Sequence, residues 1–451
     1  MCDRRVADIM KKPCKTALAI AAMLVLTACS TAKVFSEPSS LTESGENAVA
    51  GDAGTIDSIL TQLHIDSSEE VLAARTNKAP ADEVRAVWIA YLDLAPVLKG
   101  KTEAQFKESI GKMYDNCVSI GLNTVIVQVR PFSDSFYPSE LFPWSSYCSG
   151  TLGKALSYDP MKIMVSEAKR RKLKIEAWVN PMRAMTTSEI KNVPSEFPIR
   201  QWYDDRSLKS QNLIEYDGRL YYNPASAEAR KLIADGAAEI VKNYDVDGIH
   251  IDDYFYPPSL PSSYDKAQYD AYIKAGGKLS QADWRRDNTS KMVKEMNEAI
   301  KKADSTALFG ISPRGVVSQN VDQLYIDVAE WCSTPGYCDY IAPQLYYGFK
   351  HSTAAYDAVM KQWSDIVTCD DVELLVGLAA YKVGQTDQYG GSGQDEWQTD
   401  HDILAHQIDD SRAYKNYGGM IFFRYEQIFN PASNSKEAME LEKRNFTALL
   451  K

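Results

Sequence analysis

The sequence predicts an α/β fold, a TIM (β/α)8 barrel with long insertions after the third and fourth strands. Between Val84 and Arg424 eight short apolar runs alternate with stretches of helical apolar spacing. Polar side chains recur at the ends of the second to eighth runs, where a barrel carries its chemistry. No glycine-rich phosphate loop follows the first run, which ranks a doubly wound open sheet below the barrel.

The strands expected are Val84 to Leu92, Thr124 to Arg130, Lys174 to Asn180, Gly248 to Asp253, Leu308 to Pro313, Tyr340 to Tyr346, Glu373 to Tyr381 and Gly419 to Arg424. Each precedes a helical pattern such as Gln105 to Ile120 or Ser290 to Ala303. Two connections are unusually long, Pro181 to Asn223 and Tyr254 to Asp287, and both are rich in Tyr, Trp and Pro, as groove walls would be.

The fourth strand carries the most chemistry. In Asp247-Gly248-Ile249-His250-Ile251-Asp252-Asp253-Tyr254-Phe255-Tyr256-Pro257, period two sends Ile249 and Ile251 outward, sends His250 and Asp252 to the opposite side, and leaves Asp253 on the loop. A strand closed by a capping Asp is the bland alternative. Glu176 shares parity with Trp178 and Asn180, so a buried ion pair deep in the barrel is expected there.

The chain opens with Arg4, Arg5, Lys11, Lys12 and Lys15, then an apolar run from Thr16 to Ala28 that ends in Leu26-Thr27-Ala28-Cys29. The run is short for a bilayer span and reads as a secretory signal, residues 1–28. Its last four residues resemble the bacterial lipoprotein box, which makes Cys29 the lipidation candidate and a bacterial membrane the partner through a lipid anchor; an ordinary cleaved signal is the alternative. Residues 29–82 are rich in Ser, Thr, Glu and Ala and read as a disordered tether, with a short helix near Ile56 to His64 as an option, and residues 83–451 as one barrel domain. Loss of residues 1–28, with five basic and two acidic side chains, takes the formal charge from −11 to −14. So acidic a chain is not expected to bind nucleic acid.

Five cysteines follow Cys29, namely Cys117, Cys148, Cys332, Cys338 and Cys369, so at least one thiol stays free. Cys332 and Cys338 flank a Ser-Thr-Pro-Gly-Tyr turn and could pair. The five histidines are scattered, no metal-ligand spacing occurs, and no cofactor is expected; the sequence leaves the oligomeric state open.

Several motifs occur in fixed order: Arg85-Ala86-Val87-Trp88, Gln128-Val129-Arg130-Pro131 with Asp134, Tyr158-Asp159-Pro160, Ala177-Trp178-Val179-Asn180-Pro181-Met182-Arg183, the fourth-strand tract, Gly310-Ile311-Ser312-Pro313, Ala342-Pro343-Gln344-Leu345-Tyr346 and Phe423-Arg424-Tyr425. Over Val84 to Phe429 they resemble the bacterial glycosyl-hydrolase-like family 10 proteins, the family 10 glycosylhydrolase lipoproteins. The resemblance implies a barrel enzyme that hydrolyses bacterial cell-wall peptidoglycan strands, in some members strands stripped of stem peptides. More distantly, the fourth-strand tract is similar to the glycoside hydrolase family 18 chitinase signature, with Asp252 at its last aspartate. The chitinase acid falls on Tyr254 and the aspartate after the sixth-strand tyrosine falls on Tyr347. The substrate-assisted chitinase route is therefore not carried over. The barrel, Tyr346 at the matching place and a preference for N-acetylated amino sugars are.

Glycoside hydrolysis usually needs two carboxyl groups about the scissile bond. Asp252 is the first choice, as nucleophile or as stabiliser of an oxocarbenium ion, with Asp253 or Asp134 as proton donor and Glu140 and Glu426 in reserve. A carboxyl among Phe132, Phe136 and Tyr137 could have its pKa raised. Arg130, Asn180, Arg183, Gln344, Arg424 and Glu426 are candidates to hold hydroxyl or acetamido oxygens of a glycan substrate, Arg130 being equally a structural partner for Asp134. Trp178 and Tyr381 are candidates to stack on sugar, Trp178 being equally a barrel-core aromatic, and Tyr346 is a further substrate-binding candidate. Two other functions stay open: a non-catalytic cell-surface glycan-binding barrel, and a hydrolase of a different extracellular polysaccharide.

Overall fold

The computed structural model describes residues 77–451. The signal segment, Cys29 and nearly all of the expected tether lie outside the described residues. Eight parallel strands close into a barrel: Val84–Ile89, Thr124–Arg130, Lys174–Val179, Gly248–Ile251, Leu308–Ile311, Tyr340–Ile341, Glu373–Leu378 and Tyr417–Phe422. Each pairs with the next in the chain and the last closes on the first, Val87 lying opposite Phe422.

Strand parity is as the apolar alternation predicts. Ala86, Trp88, Ile126, Trp178, Tyr340, Ala342, Leu375 and Ile421 fill the barrel. Val87, Ile89, Val125, Val127, Ile249 and Ile251 face outward into the apolar layer beneath the helices. Full burial of each such side chain contributes roughly 1.5–3 kcal/mol. Gly310 is needed where it stands: a Cβ there would lie 1.9 Å from the Tyr340 ring, so the tyrosine on the neighbouring strand fits only because this strand has no side chain at that point.

The strands stop earlier than the apolar runs. The first ends at Ile89, and the helix Tyr91–Leu98 follows, in the segment expected to continue as strand. Asp93 causes the turn by accepting the Ala90 N–H at 2.7 Å, a capping interaction that starts a helix. The sixth strand pairs only over Tyr340–Ile341; beyond it the backbone stays extended and touches its neighbours through isolated bridges, Arg314 to Gln344 and Gln344 to Gly377.

The insertion after the third strand folds into a small antiparallel sheet of Arg183–Thr186, Arg219–Tyr222 and Leu213–Tyr216. Asp217 and Gly218 both have positive φ, 48° and 69°, which suits a two-residue hairpin turn. The insertion after the fourth strand carries the helix Lys266–Lys274, none of whose residues is buried, and is tied down by a buried Arg285–Asp265 pair at 2.6 Å.

The expected pairing of Cys332 with Cys338 does not form; all five cysteines among the described residues are free. Cys332 lies on the helix Val328–Ser333 and packs inward, as does Cys338 just before the sixth strand. Burial pushes the Cys332 thiol up to about 12, so both sulfurs act as small apolar groups.

Candidate active site

The barrel floor is closed by a chain of hydrogen bonds. The Trp88 indole N–H donates to His250 Nε2 at 3.0 Å, His250 Nδ1 meets the Tyr340 hydroxyl at 2.8 Å, and that hydroxyl donates to Glu176 Oε2 at 2.5 Å. An indole can only donate, so Nε2 accepts and the proton of the neutral ring sits on Nδ1. Burial lowers the His250 pKa to about 3, which keeps the ring neutral. Glu176, raised to about 7 by burial, takes a tyrosine where an ion pair was expected. At that depth a hydroxyl supplies a partner without the desolvation cost of a second charge.

Above this floor lies Asp252. The Trp178 indole N–H reaches its Oδ2 at 3.0 Å and the Tyr254 backbone N–H its Oδ1 at 3.2 Å. Burial first, and then the adjacent Asp253 charge, raise its pKa to about 7 against the opposing pull of Arg183. Asp253 has a different environment: Arg314 Nε lies 3.3 Å from its Oδ2 and Gln344 Nε2 3.4 Å from its Oδ1, and its side chain is 22 % exposed. Two successive carboxyls are thus separated, one dry and proton-holding, the other wet and paired with a cation.

Neighbouring strands complete the mouth. Gln128 Nε2 donates to Asn180 Oδ1 at 2.8 Å, and the Tyr91 N–H donates to Gln128 Oε1 at 3.2 Å. Asn180 Nδ2 and Ser312 Oγ are buried and have no hydrogen-bond partner among the described residues. Tyr346 packs edge-on against Tyr381 at 5.6 Å, and both approach Phe423. Tyr381 is 38 % exposed, as a stacking surface must be. The Phe423–Arg424 peptide is cis, and Arg424 forms an ion pair with Asp93. Burial raises Asp93 to about 7, with Arg424 opposing and Glu426 adding to the rise.

The structure therefore places Asp252, Asp253, Trp178, Asn180, Arg183, Gln344, Tyr346, Tyr381, Arg424 and Glu426 at the C-terminal end of the barrel. Trp178 is only 5 % exposed and presents its N–H to Asp252, so its surroundings are those of a positioning group and not of an open stacking face. Arg130 and Asp134 lie elsewhere. A register shift between Gln128 and Arg130 breaks the strand parity and turns Arg130 outward, where it covers Phe142 at 4.3 Å and abuts Gly236 of the helix Ala227–Asn243. Asp134 is buried in its own loop, held by the Phe132 N–H at 3.0 Å and the Ser145 hydroxyl, and burial raises it to about 6. It is not paired with Arg130. Glu140 is exposed beside Glu239 on the outer helix. Sequence reasoning missed Asp93, which stands one residue past the expected end of the first strand at Leu92; a carboxylate three residues after the helix N-cap at Ala90 was the available signal.

The sequence profile described as Glycosyl hydrolase-like 10 matches residues 83–395. The chain is 39% identical over 322 residues to glycosyl hydrolase YngK of Bacillus subtilis (strain 168), a match that covers 67% of this chain and 61% of that protein, so it spans less than two thirds of that relative. It is 31% identical over 390 residues to glycosyl hydrolase DigH of Escherichia coli (strain K12), covering 79% of this chain and 86% of that one. Among solved structures, the catalytic domain of β-amylase from Paenibacillus polymyxa superposes with a TM-score of 0.54 over 83% of this chain and 100% of the other. At 12% identity that likeness concerns the barrel fold alone.

Proposed function

The chain belongs to the glycosyl hydrolase-like 10 family, and on that premise we propose that it hydrolyses the amino-sugar glycan strands of bacterial cell-wall peptidoglycan, including strands stripped of stem peptides. The observation that carries the chemistry is the division between Asp252 and Asp253. Asp252, raised to about 7, holds a proton near neutral pH and can give it to the leaving glycosidic oxygen. Once it has done so, the Trp178 and Tyr254 N–H groups and Arg183 stabilise the carboxylate left behind. Asp253, held by Arg314 and Gln344, is the carboxylate that faces the positive charge developing on the sugar or orients the attacking water. This reverses the first-choice roles drawn from the sequence, because burial separates the two groups by environment and not by position in the chain. Asn180, Arg424 and Glu426 offer polar contacts and Tyr346 and Tyr381 apolar faces to the glycan. The enzyme would work outside the cytoplasmic membrane, tethered through Cys29.

The test is mass spectrometry of fragments released from intact sacculi, amidase-stripped strands and neutral hexose polymers by the wild type and by Asp252→Asn. Amino-sugar fragments from the wild type alone are expected. Release confined to neutral hexose polymers would overturn the substrate, and undiminished release by Asp252→Asn would overturn the acid.

A further inference from the structure

The insertion after the third strand carries two arginines on the side of the opening. In its sheet Arg183 lies opposite Tyr221, and Arg219 lies two residues before Tyr221, so all three share one face. The Arg183 guanidinium carbon sits 3.2 Å from the centroid of the Tyr254 ring and 4.6 Å from that of Phe132; Arg219 lies 5.0 Å from the same Phe132 ring. A ladder results, running outward from Asp252 through Tyr254, Arg183 and Phe132 to Arg219.

The two arginines of this ladder are partnered differently from Arg285 and Arg412. Arg285 and Arg412 are each closed by both oxygens of a carboxylate, Asp265 and Glu83. Arg183 and Arg219 instead donate to main-chain oxygens, Arg183 Nε to Pro131 at 3.3 Å and Arg219 Nη1 to Ala184 at 2.8 Å. Neither has a carboxylate within ion-pair distance among the described residues. The nearby Glu189 is occupied by the Thr186 N–H and hydroxyl, at 2.9 and 2.7 Å. Stacking on ring faces fixes a guanidinium plane and leaves in-plane N–H donors at its edge, the geometry that suits a planar carboxylate. Arg183 is 7 % exposed and its charge already acts on Asp252, so an anion of the ligand placed at its free edge would add a charge-assisted contact beside the reacting carboxyl.

We propose that Arg219 and Arg183 form a carboxylate-recognition subsite, so that the sugar bound next to the cleaved bond carries a carboxylate. The proposal rests on the glycan-hydrolase reading and narrows it: neutral amino-sugar chains would fit the opening but leave the arginines unanswered. Two sources share the chemistry, an acid-bearing ether substituent on an amino sugar and a uronic acid.

The experiment compares three soluble oligosaccharides: amidase-stripped glycan strands, the same strands with their carboxylates reduced to alcohols, and a uronate polymer. Wild type, Arg219→Gln and Arg219→Lys are measured on each, by hydrolysis and by calorimetric titration. The wild type is expected to favour the acid over the reduced strand by about tenfold or more in kcat/KM, chiefly through KM. Arg219→Gln is expected to abolish that ratio and Arg219→Lys, which keeps the charge and loses the fork, to restore part of it. Equal use of acid and reduced strands by the wild type overturns the subsite, as does an Arg219→Gln loss that is the same on both. Uronate preferred over stripped strands keeps the subsite and overturns the cell-wall substrate. If no glycan is cleaved, the titrations still decide: acid-dependent affinity lost in Arg219→Gln supports the subsite while the hydrolase reading fails, and affinity blind to the acid overturns it.

Discussion

The floor and the mouth of the barrel each hold a buried carboxyl raised to about 7, Glu176 below and Asp252 above. Glu176 ends a hydrogen-bonded chain through Tyr340, His250 and Trp88 that runs wholly inside the barrel. Asp252 receives two N–H groups but also adjoins a second carboxyl and Arg183, and it stands just past the C-terminal end of its strand. A perturbed pKa arises at both ends for the same reason, loss of water, while only one end can meet a substrate. The contrast separates a carboxyl that stabilises the barrel interior from one available for proton transfer.

The sharpest way to break this contrast is to remove each carboxylic function in turn. Asp252→Asn is expected to lower kcat by about a thousandfold with glycan affinity kept, the range for loss of a general acid. Glu176→Gln should leave kcat within a few-fold of the wild type. Equal losses in the two variants, measured by turnover on amidase-stripped strands, would erase the distinction between floor and mouth.

Next in size is Tyr340→Phe. It leaves the His250 Nδ1–H and the Glu176 carboxyl without their shared hydroxyl, and is expected to cost about 1–3 kcal/mol in denaturant unfolding with little change in kcat.

The pH dependence gives a third contrast. Activity should decline as pH rises through about 7, where Asp252 loses its proton. For stability the sign follows from the same shifts. Asp252 and Glu176 have folded pKa values above their ordinary 3.8 and 4.5, so the folded state holds more protons than the unfolded one between those values and about 7. Their contribution is fully present below pH 4 and is lost as pH rises through about 7. Thermal unfolding from pH 4 to 8 should show this slope reduced in both Asp252→Asn and Glu176→Gln, while only Asp252→Asn lacks the corresponding limb in its activity profile.

The smallest effect expected is from Trp178→Phe, which keeps a ring and removes the donor to Asp252. Without that N–H the carboxylate is less favoured, and the limb should move up by about 0.5–1 pH unit, the equivalent of one modest hydrogen bond. No movement in the activity profile would mean that Asp252 is not the group that titrates there.

Much of this architecture was legible in the chain. The starts of the strands at Val84, Thr124, Lys174, Gly248, Leu308, Tyr340 and Glu373 coincide with those read from the apolar runs. Their ends were less legible, since residues such as Gln344 to Tyr346 remain extended after ladder pairing stops, and extension alone leaves no mark in apolar periodicity. Arg130 was misjudged for a related reason: one register shift inverts the direction of every following side chain, and alternation cannot register it. Asp93 stood just past the expected first strand, whose early end and the helix that follows depend on its capping carboxylate.

By itself, then, the sequence determined the barrel, the inward parity of His250 and Asp252, and the placing of polar residues at the strand ends, because each follows from the fixed period of a strand. Only the tertiary structure decided which carboxyl is dry and which is paired. Trp178, Arg183, Arg314 and Gln344 reach Asp252 and Asp253 from different strands and loops, and desolvation depends on all of them closing together in space. It likewise decided that, among the described residues, Arg183 and Arg219 have no carboxylate within ion-pair distance, since a charge is neutralised by what lies beside it and not by the composition of the chain.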